Sequence, residues 1–165
     1  NLLLVEQPNR DFGHTMMRQF LFDAWHIEML SALKGHDHEQ ISAIAEKSLK
    51  EVTYHAERSA DTVIALGDGT EESHTRMQAA LDRLWPYVGE MFLSDDVDRA
   101  VYDPAPLREA FDARINAVLT EATLTRPDSD FAHKGGKTGV RHTEHLGHML
   151  AVMQFLPRAY PDAQW

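Results

Sequence analysis

The segment Lys47-Ser-Leu-Lys-Glu51-Val-Thr-Tyr-His55-Ala-Glu-Arg58 lies midway along a stretch, 37–66, whose pattern predicts one long helix. Residues three and four apart share a helix face, so the stretch divides into stripes. One stripe is small and apolar, as is typical of helix packing: Ala45, Leu49, Val52, Ala56, Ser59, Val63 and Leu66. Its neighbour begins apolar and then turns ionisable: Ile41, Ile44, Ser48, Glu51, His55, Arg58 and Thr62. If both stripes face inward, charges enter a bundle core, where they must be paired or bound to a metal.

Composition limits the size and the partners of the protein. The 165 residues suffice for a single domain, 1–165, with its own core. The net charge of −10 disfavours nucleic acid and anionic membranes as partners, since both require a basic face. The chain has no cysteine, which excludes disulfides and thiolate chemistry and is compatible with a cytoplasmic location. No apolar run reaches the length of a membrane span. The chain opens on an apolar pentapeptide without a cap or an initiator Met, so we expect preceding residues to be missing.

The remainder of the chain is predicted to form helices separated by short breaks. Asp11 is a suitable N-cap for a first helix to about residue 34, and Thr70 for a third helix to about residue 93. Pro86 lies inside that third helix and should kink or split it. Pro104 and Pro106 open a fourth helix. A last helix over 140–158 is expected to turn one stripe inward: Leu146, Met149, Leu150, Met153 and Leu156. Strand-like alternation does not persist, so the predicted class is all-α and the architecture a helical bundle.

A metal site is the first candidate chemistry. Di-iron carboxylate bundles combine a Glu from one helix with a Glu-x-x-His pair from the next. Asp23 could supply the single carboxylate, but the residue three before His55 is Val52, and the carboxylate is Glu51, four before. An apolar side chain cannot bind iron, and Arg58 offers a fixed cation in its place. We therefore predict a metal-free polar cluster of Asp23, Glu51, His55 and Arg58, with a metal held by the first three as the alternative.

The region 134–148 contains the other candidate motifs. His142, His145 and His148 are spaced by three, which is neither the zinc-protease pattern His-Glu-x-x-His nor its inverse. The loop Lys134-Gly-Gly-Lys-Thr138 suggests a phosphate loop, but the Walker pattern requires Gly where Phe131 stands and a preceding strand. We expect a loop and a structural or interface role for this region. The candidates for partner contact are Lys134, Lys137, His142, Glu144, His145 and His148.

A longer signature covers the same region: Gly135-Gly-Lys-Thr-Gly-Val-Arg-His142-Thr-Glu-His145-Leu-Gly147-His-Met-Leu-Ala-Val-Met-Gln-Phe-Leu-Pro-Arg158, with the terminal Gln164-Trp165. It resembles the C-terminal end of the non-catalytic, ferritin-like subunits of ring-1,2-phenylacetyl-CoA epoxidases. The opening residues 1–9, the segment 22–26, and Lys50-Glu51 with Tyr54-His55 resemble the same family in the same order. The resemblance therefore extends from one end of the chain to the other.

The resemblance implies a ferritin-like helical bundle, of which this chain would supply the second half and a C-terminal extension. It implies cytoplasmic phenylacetate breakdown by a multicomponent oxygenase that epoxidises the ring of phenylacetyl-CoA. In that family a related catalytic subunit holds the di-iron centre and binds the thioester, while the subunit resembled here is structural. We accordingly expect no catalytic residue and no cofactor in this chain, and a hetero-oligomer with the catalytic subunit.

Other interpretations stay open on the residues themselves. The isolated chain could form a homodimer. The chain could instead be an oxidase or oxygenase with its own dinuclear site built on Asp23, Glu51 and His55. A storage-type ferritin relative is disfavoured because carboxylates do not recur along one face.

Overall fold

Helices account for the architecture of residues 1–164, the part of the chain that the computed structural model describes. The α-helices are α1 (Phe12–Leu33), α2 (Glu39–Gly67), α3 (Glu71–Leu84), α4 (Asp96–Val101), α5 (Leu107–Glu121), α6 (Glu144–Met153) and α7 (Phe155–Ala159). Short 3-10 helices cover Leu3–Glu6, Trp85–Tyr87 and Gly89–Phe92. No strand occurs among these residues, so the all-α prediction is confirmed. Trp165, the end of the C-terminal signature, lies outside the described residues.

The predicted helix boundaries follow local side-chain chemistry. Asp11 caps α1, because its Oδ1 accepts a hydrogen bond from the His14 amide at 2.8 Å. Thr70 caps α3 in a reciprocal box with Ser73. The predicted third helix is split as expected: α3 ends at Leu84, and the chain continues as two 3-10 helices around Pro86. Proline has no amide hydrogen and its ring clashes with the preceding turn, so a regular helix cannot continue there.

The core forms where α3 and α5 pack against the α1–α2 pair. Its largest fully buried side chains include Phe20 and Met17 of α1, Leu81 of α3, and Phe111 and Ile115 of α5. A smaller apolar cluster joins α1 to α2: Ile27, Leu30, Ala45, Val52 and Ala56. The second cluster contains the inward face of the segment that carries Glu51 and His55, and so determines which way these two residues point.

The prediction for the C-terminal helix is wrong. The expected helix over 140–158 is two helices, α6 and α7, divided at Gln154, and neither contains a buried residue. Pro157 explains the division, because it has no amide to donate to the carbonyl of Met153 and fits only in the first turn of a new helix. The stripe expected to turn inward is half-buried at Leu146 and exposed at Met149, Leu150, Met153 and Leu156. Within residues 1–164, no helix is long and apolar enough to cross a membrane.

Candidate functional site

Asp23 is a buried carboxylate that joins the first two helices. Asp23 is only 1% exposed to solvent. Oδ1 accepts a hydrogen bond from Gln19 Nε2 at 2.7 Å, within α1, and Oδ2 accepts one from Ser59 Oγ of α2 at 3.0 Å. Burial raises the pKa of Asp23, and this effect outweighs the lowering by the two hydrogen bonds. Each oxygen of the Asp23 carboxylate thus accepts a hydrogen bond from a side chain of the protein itself.

The three residues expected to join Asp23 lie on a different face of α2. Glu51, His55 and Arg58 are all exposed. Each directly precedes a buried residue of the small apolar stripe, namely Val52, Ala56 and Ser59. Successive residues of a helix point about 100° apart, so the burial of Val52 and Ala56 turns Glu51 and His55 toward solvent. The structure thus places only the first stripe inward and does not bring the four residues together as a buried cluster. His55 nevertheless lies near enough to lower the pKa of Asp23 electrostatically.

His26 lies on α1, three residues after Asp23. Its ring is half-buried, with the rings of Phe22 and Trp25 at centroid distances of 5.2 Å and 6.2 Å. Burial lowers the pKa of His26 despite the opposing charge of Asp23. A groove of about 320 Å³ runs over this part of the α1–α2 pair and is lined by Phe12, Met16, Gln19, His55, Arg58, Ser59 and Thr62.

Glu90 organises the glycine loop, and sequence reasoning missed it. It is 1% exposed on the 3-10 helix Gly89–Phe92. Its Oε2 accepts a hydrogen bond from the Leu3 amide at 2.8 Å, while Oε1 accepts from the amides of Gly135 at 2.8 Å and Lys137 at 3.1 Å. One carboxylate thus ties the first residues of the chain to the glycine loop. The sequence contains one indication of this role, because Glu90 is the single carboxylate within the apolar run 88–93. An acidic residue buried in such a run needs several hydrogen-bond donors.

The glycines of this loop are required by its path around Glu90. Gly135 has φ of +115°, a conformation that L side chains rarely adopt. A Cβ atom at Gly136 would lie 2.7 Å from both the Asn1 carbonyl oxygen and Leu3 Cγ. The loop therefore presents its amides to a carboxylate of its own chain, in keeping with a structural role rather than a phosphate loop.

The six candidates for partner contact divide into anchoring and accessible residues. Lys137 Nζ forms an ion pair with Asp98 and donates to the Leu93 carbonyl at 2.7 Å. His142 Nδ1 lies 2.6 Å from Glu6 Oε1, and Glu6 Oε2 accepts the Thr143 amide at 2.8 Å. The others remain accessible: Lys134, Glu144 and His148 are exposed and His145 is half-buried.

Glu6 is the anchor of the segment that leads into α6. Burial on its own would raise the pKa of Glu6, but hydrogen bonds from the Thr143 amide, His142 and the Thr143 hydroxyl outweigh it, so the pKa is lowered. The carboxylate is therefore held ionised at the root of the C-terminal helices. As with Glu90, its role comes from partners far along the chain and is not visible in local spacing.

Comparison with known proteins agrees with this architecture. A family model described as "Phenylacetic acid catabolic protein" matches residues 1–165. The chain is 43% identical, over 171 aligned residues, to one of the subunits of the 1,2-phenylacetyl-CoA epoxidase of Escherichia coli (strain K12). The match covers all of this chain and 68% of that relative. Together with the helices of the structure, these matches support the ferritin-like bundle that the C-terminal signature implied.

Proposed function

Because the chain belongs to the family of phenylacetic acid catabolic proteins, we propose that it is a structural, metal-free subunit of a multicomponent di-iron oxygenase. The oxygenase would epoxidise the ring of phenylacetyl-CoA during phenylacetate breakdown in the cytoplasm. This subunit would pair with the catalytic subunit, which holds the di-iron centre, and would contribute no catalytic residue. Its part is to provide a helical surface that supports the catalytic subunit.

The position of Val52 carries this proposal. It is 6% exposed and packs in the apolar cluster that joins α1 to α2. A di-iron bundle needs a carboxylate three residues before the ligating histidine, and that position relative to His55 is Val52. A buried hydrocarbon at this point provides no donor and is held in place by its packing. The residues of this chain therefore do not fit a carboxylate-bridged metal pair.

The surroundings of Asp23 support the same conclusion. A metal ligand must direct an oxygen lone pair at the ion, yet both oxygens of Asp23 accept hydrogen bonds within the α1–α2 pair. Binding a metal would require those bonds to break or Asp23 to turn. The arrangement instead resembles a polar tie between two helices, in which Ser59 and Gln19 satisfy a carboxylate that the fold has buried.

The alternative is an oxidase or oxygenase with a dinuclear site of its own, which would use Asp23, Glu51 and His55. The observation that favours it is the proximity of His55 to Asp23 beneath a groove of about 320 Å³. In that case Glu51 would have to rotate from solvent toward the groove.

Metal content per chain distinguishes the two functions. The full-length protein would be purified alone from iron-supplemented medium and measured by plasma mass spectrometry, beside an Asp23→Asn variant. We expect well under one metal per chain for both proteins. A value close to two that falls in Asp23→Asn would overturn the structural role and establish the alternative. The catalytic subunit, purified in the same way, is the positive control.

A further inference from the structure

The C-terminal arm, defined here as residues 144–160, presents an apolar surface to solvent. Val152 is 79% exposed, Met153 68% and Phe155 65%. Met149, Leu150 and Leu156 are also exposed, and helical spacing places Met149, Leu150 and Met153 on one side of α6. Six large side chains exposed to this extent leave on the order of 600 Å² of apolar surface, at the upper end of what a monomer usually presents. That area approaches the roughly 800 Å² that each partner contributes to a standard interface.

The root of the arm is anchored to the first residues of the chain. The Glu6 carboxylate binds the amide and hydroxyl of Thr143 at 2.8 Å and 2.9 Å, directly before α6 begins at Glu144. His142 adds a contact to the other oxygen of Glu6. A helical segment that is anchored at its root loses less conformational entropy on binding than a free tail, which favours docking.

The chemistry of the arm specifies what it can dock against. Helix α6, with the sequence EHLGHMLAVM, contains one formally charged side chain, Glu144, at its first position. An apolar and nearly uncharged helix fits a hydrophobic groove between helices of a partner. Methionines 149 and 153 can adapt to an irregular groove. A second copy of this chain is a poor occupant, because two chains of net charge −10 repel each other.

We propose that the C-terminal arm inserts into an apolar groove between helices of the catalytic subunit of the epoxidase. The inference rests on the proposed function, because it takes that subunit as the partner. It assigns the main contact to α6 and α7 rather than to the glycine loop, whose lysine at 137 is already engaged within the chain. The exposed His148 and the half-buried His145 would lie at the edge of the contact.

Co-purification of full-length chains tests the proposal. The tagged catalytic subunit would be co-expressed with the wild type, with Met153→Ser/Phe155→Ser, or with the matched control Val97→Ser/Val101→Ser, which alters exposed apolar residues of α4. The arm variant should retain the thermal midpoint of the wild type, since Met153 and Phe155 are both exposed and α6 and α7 contain no buried residue. We expect the arm variant to bind at least about tenfold more weakly and the control to bind as the wild type does.

A photo-crosslinking residue in place of Val152 identifies what the arm touches. We expect the crosslink to join this chain to the catalytic subunit. Undiminished co-purification of the arm variant would overturn the docking of the arm while leaving the proposed function intact. A crosslink to a second copy of this chain would overturn the identity of the occupant. Failure of the wild type to co-purify would instead overturn the proposed function, and with it the inference.

Discussion

Replacement of Glu90 by alanine should destabilise the protein more than the loss of any other single acidic side chain. The Glu90 carboxylate accepts hydrogen bonds from the amides of Leu3, Gly135 and Lys137 at 2.8–3.1 Å, and the residue is 1% exposed. Alanine removes all three acceptor contacts at once. It also opens a space beside a cavity of about 360 Å³ that already borders the glycine loop.

The expected magnitude follows from these three amides. A buried donor left without a partner costs about 1–3 kcal/mol. Leu3 is buried, so its amide bears the full cost, whereas the amides of the half-buried Gly135 and Lys137 can recruit water. The total loss is therefore about 3–5 kcal/mol, a large part of the 5–15 kcal/mol that stabilises a typical domain. At about 2–4 °C per kcal/mol, the thermal midpoint should fall by roughly 6–20 °C.

Urea and thermal unfolding followed by circular dichroism would measure this loss. Glu90→Gln keeps one acceptor oxygen but places an amide group against backbone donors, so its loss should lie between those of the wild type and Glu90→Ala. Glu46→Ala, at an exposed position of α2, is the matched control and should change the free energy of unfolding by less than about 0.5 kcal/mol. A Glu90→Ala protein as stable as the control would refute the role assigned to this carboxylate.

The loop and the two other buried carboxylates give three further predictions. Gly136→Ala would place a Cβ atom 2.7 Å from Leu3 Cγ and should cost about 1–3 kcal/mol in urea unfolding, whereas Gly147→Ala, which meets open space in α6, should be neutral or mildly stabilising. The lowered pKa of Glu6 contributes stability that is present above its unfolded value of 4.5 and is lost as pH falls through the folded pKa, so Glu6→Gln should flatten the acid limb of the stability–pH curve below that value. The pKa of Asp23 is raised, so its contribution is present below 3.8 and is lost as pH rises, and the free energy of unfolding of Asp23→Asn should improve relative to the wild type as pH increases. An acid limb unchanged in Glu6→Gln, or a constant difference for Asp23→Asn, would contradict these assignments.

The features that sequence could predict are those set by neighbouring residues. Asp11 and Thr70 cap helices because their side chains reach amides three residues ahead, and Pro86 splits a helix through its own missing amide. The small apolar stripe of α2 could be predicted for the same reason, since its spacing alone puts Val52 and Ala56 on one face. These effects operate within one or two helical turns, which is the range over which a single sequence is informative.

The buried carboxylates lie beyond that range. Glu90 and Glu6 accept hydrogen bonds from backbone amides within residues 135–143. The residues next to Glu90 and Glu6 in the sequence do not predict a partner so far along the chain. A carboxylate can be buried only if several donors converge on it, and convergence is a property of the folded chain. The glycines at 135 and 136 indicate in the sequence that the backbone bends sharply or approaches another segment closely at this point. They do not indicate which residue it approaches.

Two stripes lie outward: that of the C-terminal helix, which was expected inward, and the partly ionisable stripe of α2, for which the sequence left the direction open. Periodicity shows that a helix has an apolar or partly apolar face, but it does not show which chain covers that face. The stripe of α2 through Ile44 and His55, and the stripe of α6 through Met149 and Met153, are both exposed in residues 1–164. The charged residues of the α2 stripe are readily solvated, whereas an exposed apolar patch such as that of α6 is typical of an interaction surface. The arm is the stronger case, because α6 has its one formal charge at its first position and its root is fixed by Glu6. Assembly with a partner is therefore the simplest physical reason for a helix to be apolar in sequence and exposed in the folded chain.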